Sequence, residues 1–146
     1  MLTLVIGNKN YSSWSMRPWV LARERGIEFN EVLRRFRSPE WAADMPRLSP
    51  SGLVPVLWDG APGDTASLAV HDSLAIAEYL NERFPERGIW PADPRARAVA
   101  RAVSAQMHAG FRALRSAMPM NIRGHLAGKG HTPEALADVA TVVALW

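Results

Sequence analysis

The sequence predicts an α/β domain followed by an all-helical segment. Over residues 1–83, short apolar runs that end at turn residues alternate with helical patterns, which is typical of strands connected by helices. Prolines then punctuate the chain, and from Pro94 onward apolar residues recur at three- and four-residue spacing. We therefore predict a first domain over residues 1–83, a linker over 84–93 and a helical domain over 94–146.

A proline locates the first helix. The apolar run over residues 2–6 predicts a buried strand, and a helical pattern follows it after a polar loop. Pro18 lacks the backbone N–H that a helix interior requires, so we place it in the first turn. The helix then begins around Trp14 or Ser15, and the two serines before it lie at its amino end.

The rest of the first domain completes a recognisable order of elements. We predict strands over residues 28–36, 53–58 and 67–70, a short, weak helix or an irregular segment over 39–48, and a helix over 74–83 capped by Asp72 and Ser73. Pro55 lies inside the second of these strands. The order βαβαββα combines a parallel crossover with an antiparallel hairpin, which is the thioredoxin-like arrangement.

The helical segment starts with clear signals. Asp93 is a favoured N-cap, and Pro94 suits the first helical position. The apolar spacing predicts one long helix that continues to Met118. A last helix opens at Thr132 and reaches the end of the sequence on an apolar rhythm, so we expect this all-helical domain to be incomplete. Its apolar side comprises Leu136, Val139, Val143 and Trp146.

Composition excludes several classes of function. The chain has no cysteine, which rules out disulfides, thiolate metal sites and redox catalysis by a protein thiol. The net charge is +3, and a modest positive field favours small anionic substrates. Glutamates alternate with the arginines, so we expect no nucleic acid. The histidines lack metal-ligand spacing, so we expect no metal. With neither a signal peptide nor an apolar run of about 18–20 residues, we expect a cytoplasmic protein without a membrane partner.

The first motif that can carry chemistry is the run Ser12-Ser13-Trp14-Ser15. A redox protein of this fold would have two cysteines at this helix start. Hydroxyl groups cannot form a disulfide, but they can donate a hydrogen bond to a thiolate that belongs to a ligand. The alternative interpretation is ordinary helix capping by serine.

The second and third motifs would hold an extended peptide. A cis bond between Val54 and Pro55 would leave the backbone N–H and C=O of Val54 open to pair with the peptide as an added strand. Asp72 and Ser73 open a helix, where N–H groups favour a carboxylate and the aspartate favours an ammonium. The alternatives are an edge strand with a trans proline and a simple helix cap.

Together, the three motifs, the proline-rich linker and the helices after it resemble the glutathione transferase superfamily across the whole chain. The pattern S-S-x-S-x-R is most similar to zeta-type and related bacterial serine-type enzymes, whose motif is S-S-C-S-x-R. Trp14 stands where that group has cysteine, and Pro18 and Trp19 also depart from it. Since the zeta group includes maleylacetoacetate isomerases, these departures bear on that activity in particular.

The resemblance implies a role for each motif. Ser12 would activate the thiol of glutathione, the co-substrate, and Ser13 and Trp14 would line the same pocket. Val54 and Pro55 would receive the cysteinyl backbone, while Asp72 and Ser73 would hold the γ-glutamyl end. The resemblance further implies a homodimer, a small electrophile as second substrate and a part in detoxification. Residues that in relatives can face the electrophile are Arg112, Arg115 and Ser116, although arginines on a helix are more often surface residues.

Two rival interpretations remain open. A transferase-like fold could bind glutathione or a protein without turnover, and an incomplete helical domain favours this possibility. A serine hydrolase has little support, because the sequence has neither a G-x-S-x-G turn nor a histidine near Ser12.

Overall fold

A computed structural model describes residues 1–145 and divides the chain into two compact units, Met1–Trp90 and Pro91–Trp146. Trp146, which we predict on the apolar side of the last helix, lies outside the described residues. None of the helices within residues 1–145 has the length and apolar character needed to cross a bilayer.

The first unit is a four-stranded mixed sheet with the strand order β2-β1-β3-β4. β1 pairs with β2 in parallel, and both pairings of β3 are antiparallel. This confirms the thioredoxin-like βαβαββα fold. Its strands are β1 (Leu2–Ile6), β2 (Asn30–Leu33), β3 (Val56–Asp59) and β4 (Leu68–His71), and its helices are α1 (Ser13–Glu24), α2 (Pro39–Leu48) and α3 (Ser73–Arg83), with a 3₁₀ turn at Pro85–Arg87.

The two faces of the sheet bury separate apolar clusters. Side chains of a strand alternate between faces, so Leu4 and Val5 of β1 belong to different clusters. Leu4 packs with apolar residues of α1 and α3, such as Ala22 and Ile76, whereas Val5 packs with Met45 of α2. Each fully buried Leu or Val side chain contributes about 1.5–3 kcal/mol. The central strand is therefore held from both sides.

Two of the prolines lie elsewhere than predicted. Pro18 lies in the second turn of α1, because the helix begins at Ser13 and therefore one or two residues before the expected start. Its ring is buried in the domain core, which offsets the loss of one helical hydrogen bond. Pro55 precedes β3 instead of interrupting it, since the strand begins only at Val56. A proline there removes no donor from the sheet.

Over residues 91–145 the second unit contains three helices: α4 (Pro94–Ala109), α5 (Arg112–Ala117) and α6 (Pro133–Leu145). The prediction of one helix up to Met118 is wrong, because the chain leaves the helical conformation at Gly110 and Phe111. Phe111 has a φ of 61° and is buried. Apolar spacing continues through the break, so periodicity alone does not reveal it. The predicted electrophile residues Arg112, Arg115 and Ser116 consequently lie on α5 and not on the first helix of this unit.

Two side chains bind N–H groups in the first turns of α5 and α6. Thr132 caps α6 by accepting the N–H of Ala135 at 3.2 Å. Asp138 of α6 accepts the N–H of Leu114 at 2.9 Å, which ties the first turn of α5 to α6. On the predicted apolar side of α6, Leu136 and Val143 are exposed and Val139 is half-buried.

Candidate functional site

The register of the sheet brings the three sequence motifs to one end of the first unit. Val5, near the end of β1, faces Val56 at the start of β3, and Val56 faces His71 at the end of β4. The loop to α1 leaves β1 at this end, Val54 enters β3 here, and Asp72 follows His71 directly. The three motifs, which are far apart in the sequence, therefore lie at the same end of the sheet.

Ser12 is a buried N-cap with both of its hydrogen-bonding functions in use. Its Oγ accepts the N–H of Ser15 at 3.2 Å and donates to the Ser15 Oγ at 2.9 Å. The Ser15 Oγ also accepts the N–H of Gly7 at 3.0 Å, and Ser15 is buried. These bonds connect the end of β1 to the first turn of α1, so they fix where the helix begins relative to the sheet.

The sequence motif includes Ser15 but does not predict its role, and Gly7 is not predicted as a site residue. The three-residue spacing from Ser12 to Ser15 is that of a capping pair, which is the signal that could have identified the network. A Cβ at Gly7 would lie 2.5 Å from Cζ of Phe36, so a side chain at this position would require the exposed Phe36 ring to move.

Ser13 and Trp14 occupy the first turn of α1 and are half-buried. The Ser13 hydroxyl has no hydrogen-bond partner among residues 1–145, which makes it a second available donor beside Ser12. The guanidinium carbon of Arg17 lies 4.2 Å from the centre of the Trp14 ring. Such a cation–π contact contributes about 0.5–1 kcal/mol at partly exposed positions, and it restrains the indole next to the serines.

A polar cluster anchors the loop before α1. Glu31 on β2 accepts hydrogen bonds from Lys9 at 2.9 Å and from the Trp19 indole at 2.7 Å. Burial raises the pKa of the Glu31 carboxyl, but the hydrogen bonds from Lys9 and Trp19 together with the charges of Lys9 and Arg23 outweigh burial, so the pKa lies below its usual value. The carboxylate is therefore charged at neutral pH and holds the loop against the sheet.

Val54 presents an open backbone, as predicted. The Val54–Pro55 peptide bond is cis, which confirms the expectation from the sequence. Within the described chain, neither the N–H nor the C=O of Val54 has a hydrogen-bond partner. The residue is half-buried next to the first residue of β3. An extended peptide could pair with these two groups as an added strand.

The start of α3 differs in part from the expectation of free N–H groups. Asp72 has a φ of 80°, and its Oδ1 accepts the N–H groups of Leu74 at 2.8 Å and Ala75 at 3.5 Å. Two backbone N–H groups of the first turn of α3 are thus already hydrogen-bonded to Asp72. Ser73 is only 5% exposed, and its hydroxyl has no partner in the described part of the chain. The side chain of Ser73 is therefore the better candidate for receiving a ligand carboxylate.

The residues predicted to face the electrophile belong to the second unit. Arg112 and Ser116 are exposed on α5. Arg115 donates from Nε to the Gly110 carbonyl at 3.0 Å and from Nη2 to the Met107 carbonyl. Its guanidinium thus satisfies carbonyl groups at the end of α4, which is a structural task. Among residues 1–145 no group of three or more histidine or acidic side chains is arranged to hold a metal ion.

Comparison with known proteins places these features in a family. The family profile described as "Glutathione S-transferase, N-terminal domain" matches residues 11–83, which is half of the chain and includes all three motifs. "Glutathione S-transferase Z1" of Arabidopsis thaliana is 29% identical over 96 residues, and "Protein LigF" of a Sphingobium strain is 38% identical over 88 residues. These alignments cover 62% and 58% of this chain.

A solved glutathione transferase homolog from Burkholderia, which contains bound glutathione, is similar in structure. It is 27% identical, with a TM-score of 0.61 over 79% of this chain and 57% of its own. The chain spans 41% of the Arabidopsis protein and 32% of LigF, which is less than half the length of either relative.

The serine network generates a prediction about stability. Ser15→Ala removes the acceptor of the Gly7 N–H and leaves that donor unpaired in a buried position. We expect the free energy of unfolding in urea to fall by about 1–3 kcal/mol. Ser13→Ala is the matched control, because its hydroxyl has no partner to lose, and it should change stability by less than about 0.5 kcal/mol. Equal losses in the two variants would contradict the network.

Proposed function

The chain belongs to the glutathione S-transferase family, and from this premise we propose that it activates the thiol of glutathione as a thiolate for attack on an electrophilic small molecule. The observation that carries the proposal is the convergence of a serine-bearing helix start, an open backbone at Val54 and the Ser73 hydroxyl, which has no partner within the described residues, on one end of the sheet.

In the proposed mechanism, the Ser12 hydroxyl turns its proton from Ser15 to the sulfur of glutathione. Lowering a thiol pKa by two units requires about 2.7 kcal/mol in favour of the thiolate. A hydrogen bond to a charged group contributes about 1.5–3 kcal/mol, and a helix N-terminus contributes about 0.3–1 kcal/mol. Giving up the bond to Ser15 costs about 0.5–1.5 kcal/mol.

The central values of these terms leave about 2 kcal/mol, which lowers the pKa by about 1.4 units. The thiol proton passes to solvent water, so Ser12 and the helix start favour the thiolate without a general base, and the serine itself need not ionise. The unpartnered Ser13 hydroxyl can add a second donor at no loss of an existing bond. We assign the principal role to Ser12 and a supporting role in the pocket to Ser13 and Trp14.

The backbone and the γ-glutamyl end of glutathione would bind protein groups of complementary charge or hydrogen-bonding type. The cysteinyl backbone of the tripeptide would pair with the N–H and C=O of Val54 beside Pro55. Its γ-glutamyl carboxylate would accept a hydrogen bond from Ser73, and its ammonium would lie near the exposed carboxylate of Asp72. Each ligand group meets a protein group of complementary charge or hydrogen-bonding type, and no metal is required.

The second substrate would be a small electrophile in a cytoplasmic, detoxifying reaction. The proposal includes a maleylacetoacetate-type isomerisation, since the serine motif resembles that of the zeta group and one relative, from Euphorbia esula, is named as zeta class. Of the residues on α5, Arg112 and Ser116 remain candidates for this substrate because their side chains are exposed, whereas Arg115 is engaged by carbonyl groups.

One observation favours a second candidate function, binding of glutathione or a protein without turnover. The Ser12 proton already has an acceptor in Ser15, and a ligand must compete with that bond. If Ser12 kept this bond in the complex, glutathione could bind through Val54 and Ser73 while its thiol stayed protonated.

We also propose a two-fold homodimer built in part on α4. None of the sixteen residues of α4 is buried in the chain, and Val99 is 63% exposed on it. We expect Val99→Glu to raise the dimer dissociation constant at least about tenfold in sedimentation equilibrium, the effect of burying an unpaired charge. Val143→Glu, on α6 at 69% exposure, is the matched control and should leave the dimer intact. A wild-type monomer at micromolar concentration would refute the proposal.

The role of Ser12 predicts a selective loss of activity. Ser12→Ala should lower kcat/KM for conjugation of glutathione to an aryl halide by about fivefold to thirtyfold, the equivalent of losing about 1–2 kcal/mol once the cost of breaking the bond to Ser15 is subtracted. Binding of S-methylglutathione, which has no thiolate, should change by less than about twofold.

Ser13→Ala is the control for this experiment, and we expect it to retain most of the activity. A fully active Ser12→Ala protein together with an inactive Ser13→Ala protein would transfer the role to Ser13. Binding of S-methylglutathione by a wild-type protein that shows no conjugation with several electrophiles would favour the binding function.

A further inference from the structure

The loop that leads into Val54 contains a closed ring of side-chain hydrogen bonds. Ser49, directly after α2, is 3% exposed and donates from Oγ to the carbonyl of Leu53 at 2.6 Å. The Leu53 N–H donates to the Ser51 Oγ at 3.3 Å, and the two serine hydroxyl oxygens lie 3.3 Å apart. Two serines thus hold both backbone polar groups of one residue.

The direction of the bonds in the ring follows from the number of protons. A serine hydroxyl has one proton, and that of Ser49 goes to the Leu53 carbonyl. The contact between the hydroxyls must therefore be a donation from Ser51 to Ser49. The ring runs from the Leu53 N–H to Ser51, from Ser51 to Ser49, and from Ser49 back to the Leu53 carbonyl, so that each member supports the next.

The base of the ring is fixed to the sheet. The Ser49 N–H donates to the Met45 carbonyl at 2.9 Å, which continues the last turn of α2. The indole N–H of Trp58 on β3 donates to the Leu48 carbonyl at 2.9 Å in a buried position. Ser49 therefore starts from a rigid point, and its hydroxyl can hold the loop in place.

Holding the Leu53 carbonyl also orients the N–H of Val54. These two groups belong to one peptide unit, which is planar and trans, so they point in opposite directions. With Ser49 on the carbonyl, rotation of the peptide plane would break a hydrogen bond, and this bond therefore favours one direction for the N–H of Val54. Because both polar groups of Leu53 are engaged, Val54 is the residue that offers a backbone pair to a ligand.

We propose that Ser49 and Ser51 are positioning residues that set the register in which the peptide backbone of the ligand docks at Val54. This inference rests on the proposed binding of glutathione at that residue. Neither serine touches the ligand in this proposal. They act through the peptide plane between Leu53 and Val54, so their loss weakens docking and leaves the activation of the thiol at Ser12 intact.

The test compares serine-to-alanine variants in the full chain, with S-methylglutathione as the probe. We expect Ser49→Ala and Ser51→Ala each to raise the Kd for the probe by about threefold to tenfold, the effect of one hydrogen bond. If the protein conjugates glutathione, KM for glutathione should rise by the same factor while kcat stays within about twofold. Ser51 is exposed, so its variant tests the ring even if Ser49→Ala does not fold.

Two further variants separate positioning from stability. Ser38→Ala removes the N-cap of the same helix α2 at its other end and should lower the melting temperature without changing the Kd. Ser49→Thr keeps the hydroxyl and should bind the probe like the wild-type protein.

Unchanged Kd values in both Ser49→Ala and Ser51→Ala, or an equal rise in Ser38→Ala, would overturn the inference while leaving the proposed function in place. A wild-type protein that does not bind S-methylglutathione at all would overturn the proposed function and this inference with it.

Discussion

The structure depends on the position of β3 between β1 and β4, antiparallel to both. This pairing aligns Val5, Val56 and His71 across the sheet. The carboxyl ends of β1 and β4 and the amino end of β3 therefore lie at the same end of the sheet. Every group assigned to glutathione is attached to one of these positions by at most a few residues of chain or by a side-chain hydrogen bond. A shift of the register by one residue would exchange the buried faces of β3 and separate the motifs, and the apolar clusters on both faces resist such a shift.

Local hydrogen bonds convert this coarse alignment into a defined site. Ser15 ties the start of α1 to Gly7, the cluster around Glu31 holds the preceding loop, and Ser49 holds the entry to Val54. In each case a side chain satisfies a backbone or polar group that would otherwise be free to rotate. Affinity for a flexible tripeptide benefits from such rigidity, because the protein then loses little conformational freedom on binding.

Much of the fold and the location of the site could be predicted from the sequence, because both depend on local signals. Turn residues and apolar runs indicate the strands, and proline before Val56 indicates the open backbone. Predictions failed where tertiary packing decides. Burial lets α1 tolerate Pro18 in its second turn, and the left-handed Phe111 breaks a helix whose apolar spacing is continuous. The occupied donors at Asp72 and the serine ring depend on side-chain directions, which spacing alone does not give.

We propose that one end of the sheet forms a single glutathione site. Titration of the ¹⁵N-labelled protein with glutathione tests it most directly, because each backbone amide reports its own surroundings. We expect saturable shifts concentrated at the amides of Ser13, Val54 and Ser73, with little change at the opposite end, where Asp59 pairs with Leu68. Shifts concentrated around Asp59, or no saturable shift at millimolar glutathione, would contradict it.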